Sequence, residues 1–299
     1  MNDVLIIGTV ALDTIETPFG RVDRALGGSA TYASFAASFF SKPAIISVIG
    51  QDFPREYTEL LKNKGIGLDG IEIKDKTFHW EGAYEFNMNE AKTKKTELNS
   101  LEHFKAKVPE KYKSIKNVFL ANIDPEQQLE VLKQMDEPEF IVMDTMNFWI
   151  IHKKGYVIEA IKKADVVLLN DGEARMLFST VSLVKAANEA LKLGPKAVII
   201  KKGEHGALLF TEGKHFNAPG YPLELIKDPT GCGDCFGGGF IGYLAKTKDF
   251  SERNFRKAVI YGSVIASHNA EDFSLNRLKS LTMAEIEKRY REFEEIREF

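Results

Sequence analysis

The 299-residue sequence predicts an α/β protein of three layers, a mostly parallel central sheet covered by helices on both faces. Two observations carry that expectation. Short apolar runs alternate along the chain with amphipathic stretches, and a glycine-rich turn late in the chain opens directly into an apolar helix. In order, the runs at 4–8, 44–50, 117–121, 140–144, 166–170 and 197–201 are dominated by aliphatic residues, the pattern of strands buried on both faces. Between them, 29–40, 54–64, 126–135, 155–163 and 183–193 place apolar residues at helical spacing, as do 251–268 and the heavily charged 283–299, which suits a solvated surface helix. A sheet of this kind binds its ligands at the carboxyl ends of its strands.

Two segments break the rhythm. Residues 11–26 are polar and turn-rich, with Pro18-Phe19-Gly20 as a hairpin tip. Residues 71–98 carry Phe78, Trp80, Gly82, Tyr84 and Phe86 at every second position, which predicts a half-buried strand with one aromatic face. The pattern leaves two placements open, a small β lid over the strand ends or an edge hairpin packed on the core. With no repeat, low-complexity tract or flexible linker, a single domain over 1–299 is expected.

A net charge of −3 offers no basic footprint for nucleic acid, and no apolar run approaches the length of a membrane span. The chain enters a strand-like run at once, without the form of a signal peptide, so a cytoplasmic enzyme is the expectation. Cys232 and Cys235 form a Cys-x-x-Cys, but zinc would need two further ligands and the histidines are scattered, so both read as small packing residues. A lowered thiol pKa at a helix start would make Cys232 sensitive to oxidation. The run Gly65-Ile66-Gly67-Leu68-Asp69-Gly70 spells a dinucleotide fingerprint, yet it follows a helix-like stretch and precedes a strand-like one, the reverse of the order that mechanism needs.

The segment Asp228-Pro229-Thr230-Gly231-Cys232-Gly233-Asp234 runs straight into the apolar stretch 235–244. Amides at a helix start lack intrahelical partners and sit at the positive end of the dipole, so they attract phosphate, and glycine lets it come close. In that field Asp234 is expected to stay ionised and to take a proton from an attacking hydroxyl. The segment resembles the signature of the ribokinase (PfkB) family of carbohydrate and nucleoside kinases, usually Asp-Thr-x-Gly-Ala-Gly-Asp, with Cys232 in place of alanine.

The resemblance implies a ribokinase-like fold whose β lid is built from about 11–26 and 71–98, and a reaction in which ATP phosphorylates an alcohol. It makes Asp234 the general base and Gly231, Cys232 and Gly233 the anion hole. Asn170 and Glu173 match an Asn-x-x-Glu element that organises Mg²⁺ largely through water, although alone they read as a helix cap and a first-turn acid. Gly203, Gly206 and Thr230 would line the nucleotide; Lys202 would reach a phosphate, with a solvated surface lysine as its plainer reading. On the acceptor side the resemblance places the Gly27-Gly28 turn, Asp13 as receiver of two hydroxyls, and Tyr32 where asparagine is common. Asp228 and Thr230, with a loop near 269–274, match a monovalent-cation site, so K⁺ stimulation is a further expectation. The usual Asp-Pro-Asn-x-Arg is replaced by Asp144-Thr145-Met146-Asn147-Phe148-Trp149, which loses an arginine and gains aromatics. A sugar is the expected small-molecule acceptor, with a nucleoside as the alternative and a non-catalytic ligand sensor as a third reading. A monomer and a lid-mediated homodimer are both compatible with the aromatic strand.

Overall fold

Aliphatic runs with no polar interruption can be satisfied only between two covering layers, and Val4, Leu5, Ile6 and Ile7 are each fully buried. A computed structural model describes residues 2–298. The chain runs β1 (Val4–Ile7), β2 (Ala11–Thr17), β3 (Gly20–Gly27), α1 (Ser29–Ala37), β4 (Pro43–Ile49), α2 (Arg55–Asn63), β5 (Gly67–Ile73), β6 (Phe78–Ala83) and β7 (Lys92–Glu97). Next come β8 (Asn117–Leu120), α3 (Pro125–Gln134), β9 (Phe140–Met143), α4 (Asn147–His152), α5 (Lys154–Lys163), β10 (Val166–Asn170), α6 (Asp171–Phe178), α7 (Leu183–Leu191) and β11 (Ala197–Lys201). The hairpin β12 (Ala207–Thr211) and β13 (Lys214–Ala218) leads to α8 (Cys232–Thr247), α9 (Glu252–Asn269), α10 (Asn276–Ser280) and α11 (Met283–Glu295).

Nine strands form one sheet in the order β13-β12-β11-β10-β9-β8-β1-β4-β5, parallel except for the antiparallel β12 and β13. Side-chain alternation divides its core in two. Val4, Ile6, Val166 and Leu168 face the layer that holds α1, α8 and α9, while Leu5, Ile7, Val167 and Leu169 face the layer that holds α3, α5, α6 and α7. The parallel strands all end on one edge, where Gly8, Asn122, Asp144, Asn170 and Lys201 emerge.

Helix α8 carries Gly237, Gly238, Gly239 and Gly242, a composition that costs about 1 kcal/mol per glycine relative to alanine. Close packing is the compensation. A β carbon on Gly238 would stand 2.7 Å from Ala33 Cα, and one on Gly242 would stand 2.8 Å from Ala37 Cα. The backbones of α1 and α8 therefore touch, and the two helix N-termini lie side by side at the strand ends.

A second sheet, ordered β3-β2-β6-β7, joins β2 and β3 through the expected tip and sets β6 parallel to β2. It differs from expectation in two ways. Residues 71–73 belong to β5, which pairs with β4 through Ser47↔Ile71 and Ile49↔Ile73, so the 71–98 segment enters the second sheet only at Phe78. The aromatic face also fails: the register shifts between Glu81 and Gly82, and the Trp80 ring lies over Gly82, in the volume a side chain there would fill. His79 is the buried member at 8% exposure, held 3.1 Å from Thr14 Oγ1 and 2.9 Å from Glu97 Oε2, whereas Phe86 is 89% exposed. Gly65 terminates the turn after α2 and Gly67 begins β5, so the dinucleotide-like glycines follow helix–glycine–strand order. Among the described residues, no helix is long and apolar enough to cross a membrane.

Candidate active site

Gly231 is the N-cap of α8 at φ 75, a left-handed conformation that disfavours other residues, and any β carbon there would run into the Tyr32 ring. The N–H groups of Gly231 and Gly233 have no acceptor among the described residues. That of Cys232 donates to Pro229 O at 3.2 Å, so two of the three amides expected to meet an anion are without an acceptor and one is engaged. Cys232 Sγ is tucked against Ala266 O and Asn269 Nδ2, and burial pushes its thiol up to about 12. The expected reactive thiol is thereby corrected: loss of solvation outweighs the helix dipole. Cys235 Sγ points at Tyr32 O and is fully buried, whereas Cys232 is half-buried.

Asp234 sits in the first turn of α8. The expectation that the helix field keeps it ionised is also corrected. Burial and then the Asp144 carboxylate push it up to about 7, with Lys201 opposing them. Three adjacent parallel strands supply these neighbours. Asp144 follows β9 and its Oδ2 accepts from Lys201 Nζ, the last residue of β11, at 2.5 Å. Burial opposes the charge on Lys201, but Asp144 and Glu173 outweigh it and hold the ammonium protonated. Lys202 instead donates its backbone N–H to Gly206 O.

Between them, Asn170 ends β10 and caps α6 in a reciprocal box: its N–H and Nδ2 donate to Glu173 at 2.7 and 2.8 Å, and Glu173 N–H returns to Asn170 Oδ1 at 2.7 Å. Glu173 is 5% exposed; burial and then Asp144 push it up to about 8. Asp144, Glu173 and Asp234 thus share the electrostatic field of one ammonium, yet among the described residues no three His, Cys, Asp or Glu side chains converge closely enough to cage a metal directly, so a cation here would keep much of its water.

On the acceptor side, Gly28 caps α1 at φ 94, where a β carbon would collide with Thr9 O and Ala11 N. Asp13 on β2 is 5% exposed, with its carboxylate pressed onto Gly27. Burial pushes it up to about 8, partly countered by Gly28 N–H, with Asp228 and Asp234 adding repulsion. The Tyr32 hydroxyl is buried without a partner. Ser29 Oγ donates to Asn122 O at 2.7 Å, and Asn122 Oδ1 accepts from Trp149 Nε1 at 3.0 Å, which ties α4 to the Gly27-Gly28 turn.

Asp228 is fully buried and accepts from Thr230 N–H at 2.9 Å and Ser274 N–H at 3.0 Å, while Asn269 Nδ2 donates to Thr230 O. Loop 269–274 does meet the 228–230 turn, and Asp228 serves there as its fastener. Gly203 and Gly206 flank a single 3₁₀ turn, both at positive φ, with the Asn89 side chain lying against Gly203. The second sheet reaches the same edge through Tyr84, whose hydroxyl lies 3.3 Å from Thr230 Oγ1, and through Asn89 Nδ2, 3.2 Å from Glu204 Oε1.

Sequence reasoning missed Lys201 and gave Asp144 no role. A lysine followed by another lysine reads as solvated, and only its place as the last residue of a buried strand hinted otherwise. A surface cleft of about 1140 Å³ lies between α7 and the β12–β13 tip, lined by Lys185, Lys196 and Lys214 among others and by none of the groups described above.

Glycine-lined helix starts beside clustered carboxylates, at the strand ends of a three-layer α/β/α fold, are the arrangement that a phosphotransferase acting on a hydroxyl requires. A family profile described as pfkB family carbohydrate kinase matches residues 1–278, and the chain belongs to that family. A cytidine kinase of Thermococcus kodakarensis is 29% identical over 259 residues, 84% of this chain and 92% of that protein. A nucleoside kinase of Thermoplasma acidophilum is 27% identical over 263 residues, 84% and 81% of the respective chains. Among solved structures, the nucleoside kinase of Methanocaldococcus jannaschii, an archaeal member of the ribokinase family, superposes with a TM-score of 0.78 at 19% identity, covering 98% of this chain and 99% of its own. An Escherichia coli putative ribokinase II in complex with ATP and Mg²⁺ gives 0.78 at 19% identity over 98% and 100% of the chains. The protein is an ATP-dependent small-molecule kinase of the sugar and nucleoside class with the ribokinase fold.

Proposed function

We propose that the chain transfers the γ-phosphate of ATP to a hydroxymethyl group of a nucleoside, with Asp234 as general base. The observation that carries the acceptor class is the Trp149–Asn122–Ser29 chain of hydrogen bonds, which sets an indole and an amide beside the Gly27-Gly28 turn. Such a wall suits a flat base better than a free sugar alone. The similarity to cytidine and nucleoside kinases supports the same choice.

In this reading Asp13 receives the ribose hydroxyls and orients the hydroxymethyl toward Asp234, while the Gly231 and Gly233 amides accept phosphate charge. Asn170 and Glu173 would hold Mg²⁺ through water, since Glu173 already spends an oxygen on each Asn170 donor. When bound, that ion neutralises charge on the phosphates. The second sheet acts as a lid, and its Tyr84 and Asn89 contacts keep bulk water from the transferring group.

ADP release measured across a panel of sugars and nucleosides tests the assignment. Turnover with nucleosides is expected; turnover confined to free sugars would overturn the acceptor, and none with either would overturn the reaction. A second expectation concerns pH. Because Asp234 must be unprotonated to act and is raised to about 7, kcat/KM for the acceptor should fall about tenfold per unit below that point and level off above it. A profile flat down to pH 5.5 would remove Asp234 from the proton transfer.

A further inference from the structure

Lys201 is a half-buried cation at the strand ends, and its surroundings exceed what a structural ion pair requires. Its side chain is 16% exposed and its only carboxylate within ion-pair distance among the described residues is Asp144, itself 4% exposed. An ammonium has three donors, and this one spends a single N–H, on Asp144 Oδ2. Two donors are left over at a half-buried position on the strand ends, free to meet a ligand that enters there. They lie beside the anion hole: a β carbon built on Gly233 would stand 3.2 Å from Lys201 Nζ. Glycine at 233 thus leaves the path between ammonium and loop open, and the Asp234 carboxylate one residue on shares the same field.

Resting on the kinase reading above, we propose that Lys201 is a further catalytic residue, an ammonium held by Asp144 whose free donors contact the transferring phosphoryl group. As the acceptor oxygen bonds to the γ-phosphorus, the bond from that phosphorus to the β–γ bridging oxygen breaks and its electron pair leaves with ADP. The acceptor proton passes to Asp234. Lys201 exchanges no proton; it neutralises oxygens whose charge shifts during transfer, which is where a preorganised cation acts most strongly. Asp144 keeps the ammonium in place before ATP arrives.

The rival explanation is a buried pair that only holds β9 to β11, and the two are separated by K201Q, D144N and the double variant D144N/K201Q. K201Q alone strands a buried carboxylate and is expected to lower Tm, so the double variant, neutral and nearly isosteric, carries the test. Tm should recover in the double variant while kcat stays about 10²-fold or more below wild type, with the ATP dissociation constant by calorimetry within about threefold. Recovery of kcat together with Tm would overturn the proposal, as would a loss confined to ATP affinity. The underlying kinase reading fails separately: a wild-type protein inert on the whole acceptor panel removes both, whereas an active wild type whose double variant regains turnover removes Lys201 alone.

Discussion

Replacing Asp234 by asparagine is expected to lower kcat about 10³-fold, the scale of a general base in a positioned site. The same variant should be no less stable than wild type. The carboxylate is raised to about 7 in the folded chain by burial and Asp144, against an ordinary value of 3.8. A carboxylate raised on folding favours the native state only while protonated, below its unfolded pKa, and that contribution is lost as pH climbs through about 7. Ionised Asp234 is therefore a burden on the fold at pH 8 that asparagine removes. Thermal melts should show D234N at or above wild type at pH 8, with the gap closing toward pH 4. A variant within tenfold of wild-type turnover in the ADP-release assay would refute the base assignment, whatever its Tm.

The second large effect is expected far from any reacting atom, from Gly238→Ala in the middle of α8. Helix propensity alone predicts a gain of about 1 kcal/mol. Packing predicts the reverse, because the new methyl would stand 2.7 Å from Ala33 Cα, and nearer still to its carbonyl oxygen, so backbone must move. Overpacking of this kind costs about 1–3 kcal/mol and should prevail. Separation of α1 from α8 also pulls the Gly28 and Gly231 turns apart, and a misplacement of about 1 Å between reacting groups can cost about 10²-fold in rate. Urea unfolding with parallel kcat measurements checks both halves; a fully active variant of wild-type stability would show that the two helices do not need to touch.

Strands buried on both faces were the easiest features to find, since nothing polar interrupts them: 166–170 and 197–201 are β10 and β11 to the residue. The hairpin of β12 and β13 went unread although Gly213 at φ 66 marks its turn, because Lys214-His215-Phe216-Asn217 on the edge strand looks like a loop. The 71–73 run was assigned to the wrong sheet, as local pattern says nothing of which edge a strand joins, and its partner β4 lies about twenty residues earlier. Asp13 was singled out only by the family resemblance, whereas the glycine turns and the Asn170–Glu173 cap were legible because backbone conformation and capping are written locally. Charge state was not. Asp234 and Cys232 both sit at a helix start, where the dipole favours the anion, yet their surroundings come from residues distant in sequence, and desolvation by those residues decides the outcome. The pairing of Lys201 likewise depends on Asp144, fifty-seven positions away.

The α1–α8 contact leaves no room for a methyl at Gly238 or Gly242, so the Gly27-Gly28 and Gly231 turns are carried on one closely packed pair of helices. The α4 segment and the second sheet hang on that pair through a few side chains, Asn122, Trp149 and Tyr84 among them. Substitutions at those few attachments would therefore shift α4 and the second sheet while leaving the helix pair, and the two glycine turns it carries, where they are.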